Sequence, residues 1–331
     1  MFKCINGTTA NDVWNKSYNE IINSKTVNTR LGTSKELLHV ALSIKNPIQK
    51  WIDTRKPPIS IGYALAELIW ILNGKDESST INFWNPSLPK YAGDYKKYPG
   101  AYGYRIESIF GFDQLERAYN VLNNNSNSRQ VVINIWNPSI DTPLESGEPA
   151  NKDIPCNVCS LIKIRDNKLE WTQIMRSNDL IRGLPYNIVQ FTSLQEILAS
   201  WLGIEIGSYN HLSDSLHMYE NDLNFSSVDS LNIINTDSLA IKRIDYRSVI
   251  GLIYDKMCII SSQNISPNEL EELALEDTGY NSYNNILKMI CIYAAYRCGY
   301  QSVKNNILEV CTNQLYRNLW NDWETAKKDG E

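Results

Sequence analysis

The sequence predicts an α+β fold, and three observations predict it. Residues 158–164 and 169–175 are short apolar runs with strand-like content, separated by a polar Asp166-Asn167 turn, the pattern of an antiparallel hairpin. Residues 60–74, SIGYALAELIWILNG, are apolar all round between a serine cap and a glycine stop, which describes a buried helix. Ile188, Phe191, Leu194, Ile197, Leu198 and Trp201 then recur at helical spacing and end at Gly203. Strands and long helices therefore share one core.

Composition bounds the rest. The chain has 331 residues, enough for one large domain or a domain with an appendage, and 43% hydrophobic content fills a real core. A net charge of −5 argues against a nucleic-acid surface, and no apolar run approaches the ~18 residues of a membrane span. The start, MFKCINGTTA, lacks the apolar core of a signal peptide, so a soluble cytoplasmic protein is expected. Seven scattered cysteines in a chain of this size read as reduced thiols.

Taken in order, residues 11–24 carry Trp14, Tyr18, Ile21 and Ile22 at helical spacing, with Asn11 as the cap. Arg30 precedes a Gly-Thr turn and a strand, inside which His39 reads as a core histidine. Glu67 sits mid-way along the apolar helix, where desolvation disfavours a carboxylate without a task. Residues 112–123 read as helix, a strand enters at Gln130, and residues 141–153 read as a surface loop. Cys156 lies just before the first hairpin strand and Arg176 just after the second, so antiparallel pairing brings them to one edge. A fixed positive charge there stabilises a thiolate, the form a cysteine nucleophile needs. Cys156-Asn157-Val158-Cys159 also spells C-x-x-C, but His39, His211, His217 and the other cysteines offer no second ligand pair. Redox use is the alternative, and Cys159 reads as a buried strand residue. His217 and Tyr219 share a face if their segment is extended. Ser266-Pro267-Asn268-Glu269 is a capping box. Two helical stripes follow, one from Tyr283 to Ala294 and one through Ile307, Cys311, Leu315, Leu319 and Trp323.

Pro155-Cys156, Arg176-Ser177-Asn178-Asp179 and Gly183-Leu184-Pro185-Tyr186-Asn187-Ile188, in this order and spacing, resemble the thymidylate synthase and pyrimidine hydroxymethylase family, over about residues 11–221. The resemblance implies a large mixed sheet flanked by helices and paired back to back in a homodimer, with a helical C-terminal appendage read from the stripes. It divides the chain into a catalytic domain at 1–222, a divergent end at 223–261 and a helical extension at 262–331. It makes Cys156 the nucleophile, Arg176 its activator, and Glu67 and Tyr102 the proton-handling pair. Arg30, Arg176, Ser177 and Arg129, the last reaching from a partner subunit, would hold phosphate. Asn187 would read the pyrimidine, Asp179 would order the site towards nucleotide and folate, His217 and Tyr219 would grip the sugar, and Trp84 would pack on folate.

Several positions depart from the family pattern. Gln130 replaces a second arginine, Asn157 a histidine, and Ser215 the usual aspartate before His217. No second tryptophan follows Trp84, and the sequence given ends in AKKDGE rather than an apolar tail. The implied reaction adds the Cys156 thiolate to carbon 6 of a pyrimidine nucleoside monophosphate. Carbon 5 is then joined to a one-carbon unit from 5,10-methylenetetrahydrofolate as co-substrate. Asparagine at 187 favours uracil. Methylation of dUMP is the first reading; hydroxymethylation, with water in place of hydride, is the alternative, and a non-catalytic nucleotide-binding relative the second.

Overall fold

The computed structural model describes residues 1–29, 32–262 and 265–329; Arg30 lies outside them. The expected α+β architecture is present: a large mixed sheet, flanking helices and a helical C-terminal part. The chain forms two compact units, the first from residues 1–59, 113–136 and 155–234, the second from 60–112, 137–154 and 235–331.

The first unit contains a mixed sheet of eight strands among the described residues. These are β1 (Lys3–Gly7), β2 (Lys25–Thr29), β3 (Gly32–Ile44), β5 (Val131–Asn134), β6 (Asn157–Arg165), β7 (Lys168–Met175), β8 (Asn178–Asp179) and β9 (Glu205–Tyr219); a two-residue pair of β4 (Arg55–Lys56) and β10 (Ser226–Ser227) stands apart. The main order is β1-β3-β9-β7-β6-β5, with parallel pairing of β1 to β3 and of β7 to β9 and antiparallel pairing elsewhere along it. Asp166 and Asn167, with φ of 50° and 58°, make the tight β6–β7 turn, as Asx residues tolerate this backbone.

Helices α1 (Ala10–Ile21), α6 (Gln114–Asn124) and α8 (Leu184–Leu202) cover one sheet face. Thr9, not Asn11, caps α1, because Thr9 and Asp12 form a reciprocal capping box. The Asn11 side chain instead serves Asp53 and Thr54. Only Tyr186, Ser200 and Leu202 of α8 are not buried, so the one-faced stripe read in sequence is a helix enclosed nearly all round. The opposite sheet face stays partly open. Its cross-strand row Val132, Leu161, Thr172, Asn210 and Ser43 is half-buried or exposed throughout. Cys159 lies on this face and is half-buried rather than buried; burial still pushes its thiol upward. His39 is no core residue. It is exposed, with φ of 56°, and pairs with Asp214 at 2.8 Å where β3 and β9 skip a register position.

The second unit is helical: α2 (Ile61–Leu72), α3 (Ser78–Trp84), α4 (Leu88–Ala92), α5 (Tyr102–Glu107), α7 (Pro138–Asp141), α9 (Arg243–Ser262), α10 (Pro267–Ala274), α11 (Asn281–Cys298), α12 (Gln301–Glu309) and α13 (Gln314–Lys328). Ser60 caps α2, and Ser266 with Glu269 forms the expected box on α10. The second C-terminal stripe is two helices, because Asn313 caps α13 and leaves Cys311 in the turn. The surface loop expected from 141 begins on a buried residue: Asp141 is fully buried against Arg105. No helix among the described residues is long and apolar enough to cross a membrane.

Candidate active site

The hairpin brings Cys156 and Arg176 together. Asn157 is the last β6 residue to pair, opposite Met175. Beyond it the Arg176 amide donates to the Cys156 carbonyl at 2.9 Å, and Arg176 Nε donates to the Pro155 carbonyl at 3.0 Å. The guanidinium lies 5.5 Å from the Trp136 ring centre, a cation–π distance. Half-buried Cys156 therefore shares this edge with Arg176, whose guanidinium is held by the Pro155 carbonyl and the Trp136 ring.

Polar side chains in the buried face fix this edge from beneath. Gln173 donates to Asn157 Oδ1 and to the Cys159 carbonyl, and accepts from Ser160 Oγ at 2.7 Å and Trp171 Nε1 at 3.1 Å. Asn157 is fully buried, and its Nδ2 has no partner among the described residues. His211, next along the sheet row, meets Asn178 at 2.8 Å and the Tyr209 hydroxyl at 3.0 Å. Burial pushes its pKa down to about 3, so it is a neutral hydrogen-bonding group at ordinary pH.

Beyond Arg176, β8 pairs with the end of β9, setting Asp179 opposite His217. Ser177 Oγ lies 3.3 Å from His217 Nδ1, and the His217 and Tyr219 rings meet edge to face at 5.1 Å. Asp179 Oδ1 accepts the amides of Ile181 and Arg182 at 2.7 and 2.9 Å. Burial raises the Asp179 carboxyl, while the Arg182 amide, His217 and the Ile181 amide oppose the rise. Asn187, on the first turn of α8 and 7% exposed, donates to Gln190 Oε1 at 3.1 Å, which fixes which way its amide faces. Arg129 is exposed just before β5, and no described contact draws it into this group.

Glu67, Trp84 and Tyr102 belong to the second unit. Every residue of α2 is buried except Glu67, which is half-buried rather than enclosed as expected; the Tyr63 hydroxyl donates to its Oε1 at 2.6 Å. The carboxylate thus marks the one break in a buried helix. Tyr102 begins α5. A Cβ on the next residue, Gly103, would overlap the Ile71 carbonyl and Cα, so glycine lets α5 lie backbone-to-backbone on α2. Trp84 is 1% exposed and donates its indole N–H to the Ile290 carbonyl at 3.3 Å; half-buried Phe83 stands edge-on to it.

Two side chains here escaped the sequence reading. Gln190 looked like one more position on a buried helix. Arg55, in the run Thr54-Arg55-Lys56-Pro57-Pro58, is 7% exposed, and its Nε and Nη1 have no hydrogen-bond partner among the described residues. It lies over Phe225 at 4.8 Å. Burial lowers its pKa, while Tyr186 and Asp179 pull it back up. An arginine two residues before a Pro-Pro pair was the available signal.

The thymidylate synthase family model matches residues 19–250. A deoxyuridylate hydroxymethyltransferase of Bacillus phage SP01 is 32% identical over 199 residues, 57% of this chain and 51% of the relative. A putative thymidylate synthase of Methanothermobacter thermautotrophicus is 33% identical over 155 residues, 45% of this chain and 66% of the relative. A thymidylate synthase of Clostridium beijerinckii is 29% identical over 166 residues, 48% and 58% of the two chains. The matches thus span about half to two thirds of each relative. Among solved structures, the thymidylate synthase of T4 phage superposes with a TM-score of 0.50 at 21% identity, covering 63% of this chain and 76% of that one, a likeness of fold.

Proposed function

Because the chain belongs to the thymidylate synthase family, we propose that it transfers a one-carbon unit from 5,10-methylenetetrahydrofolate to carbon 5 of a uracil nucleotide, dUMP or a close analogue. The observation that supports this reading is the hairpin edge on which the Arg176 amide and Nε bond the Cys156 and Pro155 carbonyls. Methylenetetrahydrofolate, as co-substrate, supplies the carbon. The Cys156 thiolate adds to carbon 6, and the electron pair released across the ring makes carbon 5 nucleophilic. Carbon 5 bonds to the co-substrate's methylene carbon, and Glu67 and Tyr102 take the carbon 5 proton as tetrahydrofolate leaves. A hydride from tetrahydrofolate, which becomes dihydrofolate, then completes the methyl group as the thiolate leaves carbon 6 and Cys156 is free.

Arg176 and Ser177, with Arg30 and a partner subunit's copy of Arg129, hold the phosphate. Asn187, its amide oriented by Gln190, pairs with the uracil edge. His217 and Tyr219 take the sugar. Asp179, whose Oδ1 takes the Ile181 and Arg182 amides, faces the polar end of folate, and buried Trp84 backs the folate surface. The half-exposed sheet face supports a homodimer. Residues 1–222 are then the catalytic domain, with 223–261 its end and 262–331 a helical extension, in a cytoplasmic protein that binds neither nucleic acid nor membrane.

A second reading concerns only the last step: water in place of hydride gives a hydroxymethyl group. The names of the phage relatives at 32% and 33% identity favour it, while a putative thymidylate synthase at 33% and a thymidylate synthase at 29% favour hydride. Incubation with dUMP and methylenetetrahydrofolate followed by mass analysis decides. A methylated nucleotide with dihydrofolate establishes the synthase, and a hydroxymethylated one with tetrahydrofolate the hydroxymethylase. Absence of both products with dUMP, UMP and dCMP overturns both readings.

A further inference from the structure

Resting on that reading of Cys156 and Tyr102, we propose that Asp153 is a positioning residue for the nucleophile, fastening the chain that enters Cys156 to Gly100, two residues before Tyr102. The Gly100 amide donates to Asp153 Oδ2 at 2.7 Å. A Cβ at Gly100 would stand 2.8 Å from Asp153 Oδ1 and 2.9 Å from its carbonyl oxygen, so the carboxylate seats itself where only glycine leaves room. From Asp153 the chain reaches Cys156 through Ile154 and Pro155. Proline fixes one of the torsions between them, and its carbonyl is gripped by Arg176 Nε. The three-residue leash is therefore held at both ends.

A second tie makes the arrangement a clasp. Arg105 Nε donates to the Pro99 carbonyl at 2.8 Å, and its two terminal nitrogens donate to Asp141 at 2.5 and 2.9 Å, both side chains being fully buried. Asp141 also accepts the Asn137 amide at 2.7 Å. The segment that leads into the nucleophile, residues 137–154, is thus pinned to residues 99–105 at both of its ends. Asp153 is the pin nearest Cys156. A carboxylate suits the task because a charge-assisted hydrogen bond to a backbone amide is stronger and shorter than a neutral one. Burial raises the Asp153 carboxyl, and the Gly100 amide and Arg105 oppose that rise.

Asp153→Ala and Asp153→Asn in the full chain test this. Positional errors of the order of an ångström are costly in such chemistry, so Asp153→Ala is expected to lower kcat with dUMP by about 10- to 100-fold while KM moves by less than about threefold. The Cys156 alkylation rate with iodoacetamide, read by peptide mass across pH 6–9, is expected to change by at least about threefold. Asp153→Asn keeps an acceptor for the Gly100 amide and should restore both readouts to near wild type. Gly100→Ala, which displaces the carboxylate from the other side, should copy Asp153→Ala, with the double variant no worse than either. It carries the decision if Asp153→Ala does not fold. Unchanged kcat and alkylation in Asp153→Ala, or an Asp153→Asn as impaired as the alanine variant, overturns the proposal. The alkylation arm needs no nucleotide, so it still decides if wild-type protein fails to turn over dUMP, which would sink the reading of function instead.

Discussion

Two buried polar regions are built from the same kinds of side chain and finish differently. Where residues 235–241 meet α11 and the α12–α13 turn, Asn285 Nδ2 donates to both Asp237 oxygens at 3.2 and 3.0 Å, and Asn285 Oδ1 takes the Thr312 amide at 3.1 Å. Asn313 Nδ2 reaches Asn235 Oδ1 at 2.9 Å, and Asn235 Nδ2 reaches the Asp237 carbonyl at 3.0 Å. The loop closes on itself. In the first unit the buried groups do not close: Asn157 Nδ2, next to the nucleophile in sequence, and Arg55 Nε and Nη1, under the influence of Tyr186 and Asp179, are left over among the described residues. An unsatisfied buried polar group costs about 1–3 kcal/mol, so a local network that leaves one open reads as a place built to be completed, and one that closes as a place already complete. Arg317 Nε and Trp320 Nε1 are dissenting groups in the helical part, the latter enclosed by the rings of Tyr293, Tyr296 and Trp323.

If the distinction holds, variants in the two regions should fail in opposite ways. The largest effect belongs to Cys156→Ser, expected to lower turnover by roughly 10³-fold or more because a neutral hydroxyl replaces a thiolate. Its unfolding midpoint and dUMP affinity should stay near wild type, as calorimetry would record. Asp237→Ala should do the reverse. It strands the Asn285 amide in the core and should cost about 3 kcal/mol in urea unfolding, with activity per folded molecule unchanged. Loss of activity ahead of stability in that variant would break the comparison.

The smallest effect sharpens it by pH. His211 is neutral when folded, with a pKa of about 3, against about 6.5 for an unfolded histidine. Between these values the unfolded chain binds the extra proton, so stability is lost as pH falls from about 6.5, by at most about 1.4 kcal/mol per unit. Unfolding free energies from urea titrations at pH 7 and pH 5 should therefore differ by roughly 2 kcal/mol, and His211→Gln should flatten that slope. An equally steep slope in the variant would place the acid sensitivity elsewhere.

What could be read in advance follows from how local the cause is. The β6–β7 turn, the stop at Gly203 and the box at Ser266 are decided by neighbours in sequence, and each stands where it was read. The nucleophile edge was legible for the same reason, since a hairpin alone joins residues 156 and 176. The segment before His217 was not. It reads SYNHLSDS, polar on both faces, yet it lies inside a 15-residue strand whose Tyr209, His211 and Ser213 are buried. Partners such as Asn178 make that burial tolerable, and they come from another strand. The stripe from Ile307 to Trp323 matched helical spacing by accident across a break that the Asn313 cap determines. α9 went unread because its buried residues, Tyr246, Val249, Ile250, Ile253, Tyr254, Met257 and Ile260, alternate with charged and small ones without the caps that flag a helix. Arg55 was missed because its importance lies wholly in what surrounds it.

The close approach at Gly103 has a consequence for how this chain can evolve. Its neighbour Tyr102 can be exchanged for other side chains at the expense of chemistry alone, since Tyr102 is half-buried at a helix start. Gly103 cannot be exchanged without parting two helices, because any side chain would begin inside the Ile71 backbone. In a population of drifting descendants, including ones that had lost activity, the glycine should outlast the tyrosine. Invariance of a Tyr-Gly pair across relatives would then record two separate pressures, and only the first of its residues would testify to catalysis.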